Sequence, residues 1–433
     1  MEELAKYKQI GRKKDTPVLR FQEFIGPWTE RRFGDVFEFI KTNSFSRDHL
    51  NYEKGVVKNI HYGDIHVRFK SNFNILNEKV PFLNDAIDIS RIEENTYCKE
   101  GDLVLADASE DYQDVGKAIE IINLNGEKVV GGLHTFVARP NNIRFASGFA
   151  GYLMQTWTIR HQVMMLAQGS KVHGISTNHL SLVIFKTPSP PEQQKIAAFL
   201  TTTDQRISLL QKKKALLEQY KKGVTQKIFQ REIWFKDEDG KEFPEWEIKR
   251  FGEVFERITR KNKENNLNVL TISAQQGLVN QESYFNKSVS AKDVTGYYLL
   301  EKDDFAYNKS YSKGYPMGAI KRLTEFDKGV VSTLYICFKA IEDNVLFLEQ
   351  YFDSGLINGE IQKIAQEGVR NHGLLNISVV EFFRDIEIRM PCKSEQQKIA
   401  NFLSSIDRKI KLVNTQLEKT QQWKKGLLQQ MFI

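Results

Sequence analysis

The side chains best able to do chemistry in this chain lie in a few short runs. HYGDIHVRFK (61–70) holds His61, Tyr62, Asp64, His66, Arg68 and Lys70, and ASEDYQDVGK (108–117) follows Asp107 and adds Ser109, Tyr112 and Lys117. NKSYSKGYPMGAIKR (308–322) supplies Asn308, Lys309, Ser310, Tyr311, Lys313, Tyr315, Lys321 and Arg322. Cationic groups neutralise phosphates while aromatic and amide groups meet base edges, so runs that mix the two suit a nucleic-acid reader. A solvated loop whose charges do nothing accounts equally well for any single residue, but less well for the clusters together. A further pair, GSKVHGIS with Lys171 and His173 and GVRNHGLL with Arg370, Asn371 and His372, recurs in the two halves. Its His-Gly step fits a contact or a purely structural turn equally well.

Other chemistry is hard to find. His61 and His66 bracket Asp64, an incomplete ligand set for a metal, so none is expected. No phosphate loop, no dinucleotide or adenosyl turn and no Asn-Pro-Pro-Tyr-type methyltransferase motif occurs. No carboxylate stands with lysine or histidine at a nuclease or hydrolase spacing. The chain is expected to catalyse nothing itself.

The elements that must position these runs emerge when the chain is read against itself. EQQKIAAFL from Glu192 and EQQKIANFL from Glu395 begin an ungapped match of 38 positions, 17 of them identical, at an offset of 203. That is an internal duplication. A second match, WTERRFGDVF from Trp28 and WEIKRFGEVF from Trp246, is offset by 218, so the first copy is 15 residues longer between tryptophan and EQQ, and loops are expected to hold the excess.

Each EQQ block reads as one helix, with prolines just ahead and none within. Seven-residue rows, Ile399, Ile406, Val413 and Leu427 beside Leu403, Ile410 and Leu417, predict a coiled-coil seam. The first copy repeats it as Ile196, Leu200, Ile207, Leu210, Leu217, Val224 and Ile228, broken by Thr203, Lys214 and Lys221. The copies are expected to close through an antiparallel helix pair, pseudo-twofold related, about 57 Å long at about 1.5 Å per residue.

Between tryptophan and helix, VVKNIHYGDIHVRF, GDLVLADAS, KAIEIINLNGEKVVGG and LHTFVARP read as strands, with Asn125-Gly126 as a tight turn. DDFAYNKS, GAIKRL and GVVSTLYICFKA read likewise in the second copy, and FAGYLMQTWTIR and VLFLEQYFDSGLI as helical. The expected class is α+β: an N-terminal extension at 1–16, recognition domains at 17–190 and 231–391, and long helices at 191–230 and 392–433.

Bulk properties agree. A net charge of +7 permits nucleic-acid contact without demanding it, and three dispersed cysteines suggest neither disulfides nor zinc. No signal core or membrane span is read, so the cytoplasm is the expected location.

The order of these parts resembles the specificity subunits of type I restriction-modification systems. PVLRFQEFIGPW before RRFGDVF, PPEQQKIAAFL closing the first unit and SEQQKIANFL the second carry the resemblance over nearly the whole chain. It implies that the dissimilar segments are target-recognition domains, each reading half of a bipartite site in double-stranded DNA, while the helices set the gap. It also implies docking of two methyltransferase subunits and optionally two restriction/translocase subunits, with adenosylmethionine, ATP and Mg on those partners. A coiled-coil scaffold that joins proteins without reading DNA is the alternative.

Overall fold

The computed structural model describes residues 16–141, 143–286, 290–291, 293–365 and 375–433. The chain divides into two compact units, residues 1–211 with 415–433, and residues 212–414. The division falls inside the long helices, Pro190–Phe229 and Lys393–Gln430, so each unit contains a segment of both.

In unit 1 a five-stranded sheet runs in the order Phe37–Ile40, Thr135–Pro140, Leu103–Ala106, Ala118–Asn123, Asn72–Asn74. The first four strands are antiparallel and the last pair is parallel. Leu103–Ala106 is apolar throughout because both faces are covered. Leu103 and Leu105 face a core with Phe149, Tyr152 and Ile159, whereas Val104 and Ala106 face Ile60 and Val129 of the second layer. That layer is a four-stranded sheet of Lys128–Gly131, Val57–Ile60, Phe82–Leu83 and Leu50–Asn51.

Unit 2 repeats the four antiparallel strands in the same order: Phe255–Arg257, Ile336–Ala340, Phe305–Asn308, Ala319–Arg322. The same alternation holds there, Phe305 and Tyr307 facing the helical core and Ala306 the opposite layer. The extra length of the first copy falls before the third strand of this order, with Phe37 and Leu103 lying 66 positions apart against 50 for Phe255 and Phe305. It is therefore absorbed by a segment with strands and helices of its own, not by loops alone.

Two strand readings change. Tyr62–Val67 is a helix, started by the His61 side chain accepting the Gly63 N–H. Asn125 and Gly126 do form the turn, both at positive φ with Glu127 N–H bonded to Leu124 O, but the flanking strands join different sheets.

The duplicated motifs recur because they bind one another. Trp28 Nε1 donates to buried Glu192 at 3.3 Å, and Arg20 grips both oxygens of that carboxylate at 2.7 Å. In unit 2 Trp246 Nε1 donates to Glu395 at 2.9 Å and Arg231 at 3.2 Å. The next residue serves the backbone: Gln193 accepts from Ala146 N and donates to Pro188 O, while Gln396 accepts from Asn344 N and donates to Pro391 O.

Within each unit the helix segments run antiparallel, fixed by a repeated contact. Lys424 pairs with Asp204 in unit 1, and Lys221 with Asp407 in unit 2. Tyr152 donates to Asp204 and Gln350 to Asp407, each at 2.9 Å, which ties the aromatic-rich helix to the pair. The lysine at 221 is thus the counterpart of Lys424 and part of the pairing, not a break in the seam. Lys214 is accommodated by Asn414 Oδ1 at 2.7 Å.

Ile196 and Leu200 are buried with Leu427 in the unit 1 core, and Val224 with Ile399, Leu403 and Ile406 in that of unit 2. Val413 and Leu417 are also buried, whereas Ile207, Leu210, Leu217 and Ile410 are half-buried.

Candidate nucleic-acid interface

Three runs distant in the sequence of unit 1 meet at the end of strand Leu103–Ala106. The chain beyond it pairs Ala108–Ser109 with His173–Gly174, Ser109 opposite His173. Tyr112 donates to Met164 O at 2.7 Å, and its ring stands edge-on to His173 at 5.0 Å. From the other side, His66 Nε2 lies 3.0 Å from Ala108 O, and Lys117 donates to His66 O at 2.8 Å. Tyr62 stands edge-on to His134 at 5.3 Å, and His134 Nδ1 is 3.2 Å from Asp107 Oδ1. Burial pushes the Asp107 carboxyl up, opposed by His134.

Several candidates turn out to hold the fold, and for these the sequence reading is corrected. Asp64 is fully buried and receives two 2.8 Å bonds from Arg47 and a longer one from Arg68, so it cannot meet a base. Its partner Arg68 is further held by the Tyr52 hydroxyl at 2.6 Å. His61 is buried as a helix cap, and burial, with Arg47 nearby, pushes its pKa down to about 4. Ser109 is buried, accepting from Asp111 N. Lys70, although exposed, donates to Ser208 on the long helix at 2.6 Å. Tyr62, His66 and His173 are half-buried, while Tyr112 and Lys171 are exposed.

In unit 2 the corresponding strand, Phe305–Asn308, leads into residues 309–318. Asn308 Oδ1 accepts from Ser310 N, and Lys309 O accepts from Leu375 N at 3.1 Å. Leu375, the last residue of the GVRNHGLL run, thus lies beside the strand end equivalent to the one that meets GSKVHGIS in unit 1. Arg370, Asn371 and His372 themselves lie outside the described residues. Tyr311 and Lys313 are exposed, and neither Lys309 nor Lys313 has a carboxylate partner among the described residues.

Lys321 and Arg322 are a second correction. Lys321 is bound to Asp353 at 2.6 Å and to the Tyr315 hydroxyl at 3.2 Å, and Arg322 is bound to Asp303 and Glu349. Their side chains are only 12% and 11% exposed. Their charges are neutralised inside the unit because they sit on a sheet strand packed against helix Val345–Asp353, not in the loop before it. Sequence reasoning missed His134, which is half-exposed and held at φ +54. Its run, LHTFVARP, shows only a strand, and no residue type announces a left-handed backbone.

Among the described residues no group of three or more His, Cys, Asp or Glu is placed to hold a metal, and no helix is long and apolar enough to cross a membrane.

Two α+β units with equivalent strand-end clusters, each fastened to antiparallel helix segments, define a duplicated recognition protein. The family model described as the type I restriction modification DNA specificity domain matches twice, at residues 25–219 and 244–422. The chain belongs to that family, the specificity subunits of type I restriction-modification systems.

Among curated proteins, it is 27% identical over 183 residues to the type I restriction enzyme MjaIX specificity subunit of Methanocaldococcus jannaschii, covering 40% of this chain and 39% of that one. A second M. jannaschii protein, provisionally described as the MjaX specificity subunit, is 27% identical over 159 residues, 35% of this chain and 37% of that one. These matches thus span under two fifths of either relative's length.

Two solved structures share the fold. The type I restriction-modification S subunit from M. genitalium aligns with a TM-score of 0.54 and 15% identity over 96% of this chain and 99% of its own. A chain from a study of type I system assembly and conformational transition aligns at 0.51 and 14% identity, over 94% and 98%.

Proposed function

We propose that the chain reads a bipartite site in double-stranded DNA, unit 1 recognising one half and unit 2 the other, with the helix pair setting the gap. The observation that carries this reading is the placement of aromatic, imidazole or ammonium groups at the end of one equivalent strand in two units that share a strand order but differ in the residues there. Major-groove donor and acceptor patterns distinguish all four base pairs, and side chains on short turns can reach them. Unpaired lysines such as Lys313 would hold phosphates.

The chain is non-catalytic in this reading and acts in the cytoplasm. It docks two methyltransferase subunits, which bring adenosylmethionine, and optionally two restriction/translocase subunits, which bring ATP and Mg. A competition gel-shift tests it. The full chain with its methyltransferase should hold a small subset of random duplexes against excess non-specific DNA. If every duplex competes equally, the chain is a protein-joining scaffold and the reading is wrong.

A further inference from the structure

We infer that His134 is the base-reading residue of unit 1, presenting Nε2 as a hydrogen-bond acceptor to the exocyclic amino group of an adenine or cytosine. This rests on the DNA-reading function proposed above and goes beyond it by naming the group and the base chemistry.

His134 stands between strands Lys128–Gly131 and Thr135–Pro140, at φ +54. A non-glycine residue in the left-handed region costs conformational energy, and such strain persists where the surroundings over-determine it. Here they do. His134 O accepts from Asp107 N at 3.1 Å, and the ring is held between the Asp107 carboxylate and the edge-on Tyr62.

A carboxylate only accepts, so the 3.2 Å contact assigns the proton of the neutral ring to Nδ1. Nε2 is then left with a lone pair. With half of the side chain exposed, that lone pair is available to a ligand. In the major groove the matching donors are adenine N6 and cytosine N4. His66 cannot do the same, because its Nε2 is engaged with Ala108 O.

The test is selection from a randomised duplex library by the full chain in complex with its methyltransferase, comparing wild type with His134→Asn and Asp107→Asn. Asparagine tolerates the left-handed backbone, so His134→Asn removes the ring while keeping the turn. Both variants should select the wild-type motif with a single A or C position in one half-site relaxed, losing about tenfold or more in preference there.

An unchanged motif in both variants overturns the inference and leaves the proposed function standing. Loss of the whole half-site in both, with the melting curve unchanged, would make His134 a prop for the loop and also overturns it. A wild-type chain that selects no motif overturns the proposed function itself.

Discussion

Replacing Glu192 or Glu395 by glutamine removes one charge from equivalent sites, yet the two losses should differ. Glu192 faces an Arg20 side chain only 13% exposed and a buried Trp28, whereas Glu395 faces an Arg231 that is 35% exposed. Breaking a buried ion pair costs about 3–5 kcal/mol because the surviving charge stays desolvated. An amide still accepts one hydrogen bond, so about 2–4 kcal/mol is expected for Glu192→Gln. Arg231 keeps part of its hydration and the amide still accepts from Trp246, so Glu395→Gln should cost only about 0–1 kcal/mol. At roughly 2–4 °C per kcal/mol for units of this size, Glu192→Gln should lower the melting temperature by roughly 5–15 °C and Glu395→Gln by a few degrees at most. Thermal melting of the full chain followed by circular dichroism, with each variant compared to wild type, reads this directly. Equal losses, or a larger one at Glu395, would refute the argument that partner burial decides the cost.

Three other outcomes are expected. Replacing Lys309 and Lys313 by alanine should weaken DNA binding and reduce the salt slope by up to about 2, whereas Lys321→Ala with Arg322→Ala should leave the slope unchanged and destabilise unit 2; salt titrations of both doubles decide between them. His61 has a depressed pKa, so the stability it gives helix Tyr62–Val67 is complete above about 6.5 and lost as pH falls toward about 4; the protection of the Gly63 amide, its exchange relative to the free-chain rate at the same pH, should fall over that window, and protection that stays flat contradicts the cap. Gln350 Oε1 and Thr225 Oγ1 are buried without partners beside an opening of about 580 Å³ in unit 2, where unit 1 has Tyr152 in the position equivalent to Gln350; Gln350→Tyr should therefore stabilise unit 2 by about 1 kcal/mol, checked by denaturant unfolding.

What was legible in the sequence follows from what is local or repeated. The tryptophan and EQQ motifs could be matched by eye because each pair is a bonded unit, and the long helices announced themselves by proline and heptad spacing. The strand Leu103–Ala106 was readable as an apolar run bounded by turns. Helix Tyr62–Val67 was not, because Asp64 is held in it by Arg47, 17 positions away and across a different element. The sequence could not separate Lys321 from Lys313 either, since only the sheet register turns one toward Asp353 and leaves the other exposed. His134 shows the same limit at the interface: its carboxylate lies 27 positions away on another strand end, and its backbone conformation leaves no mark in composition.

The central claim is that two units read two separate half-sites, and mapping methylated bases in DNA from cells expressing the full chain with its methyltransferase tests it most directly. The account predicts modification within a bipartite motif, two short specified blocks divided by a fixed unspecified gap. A single continuous motif, or methylation without sequence preference, would contradict it.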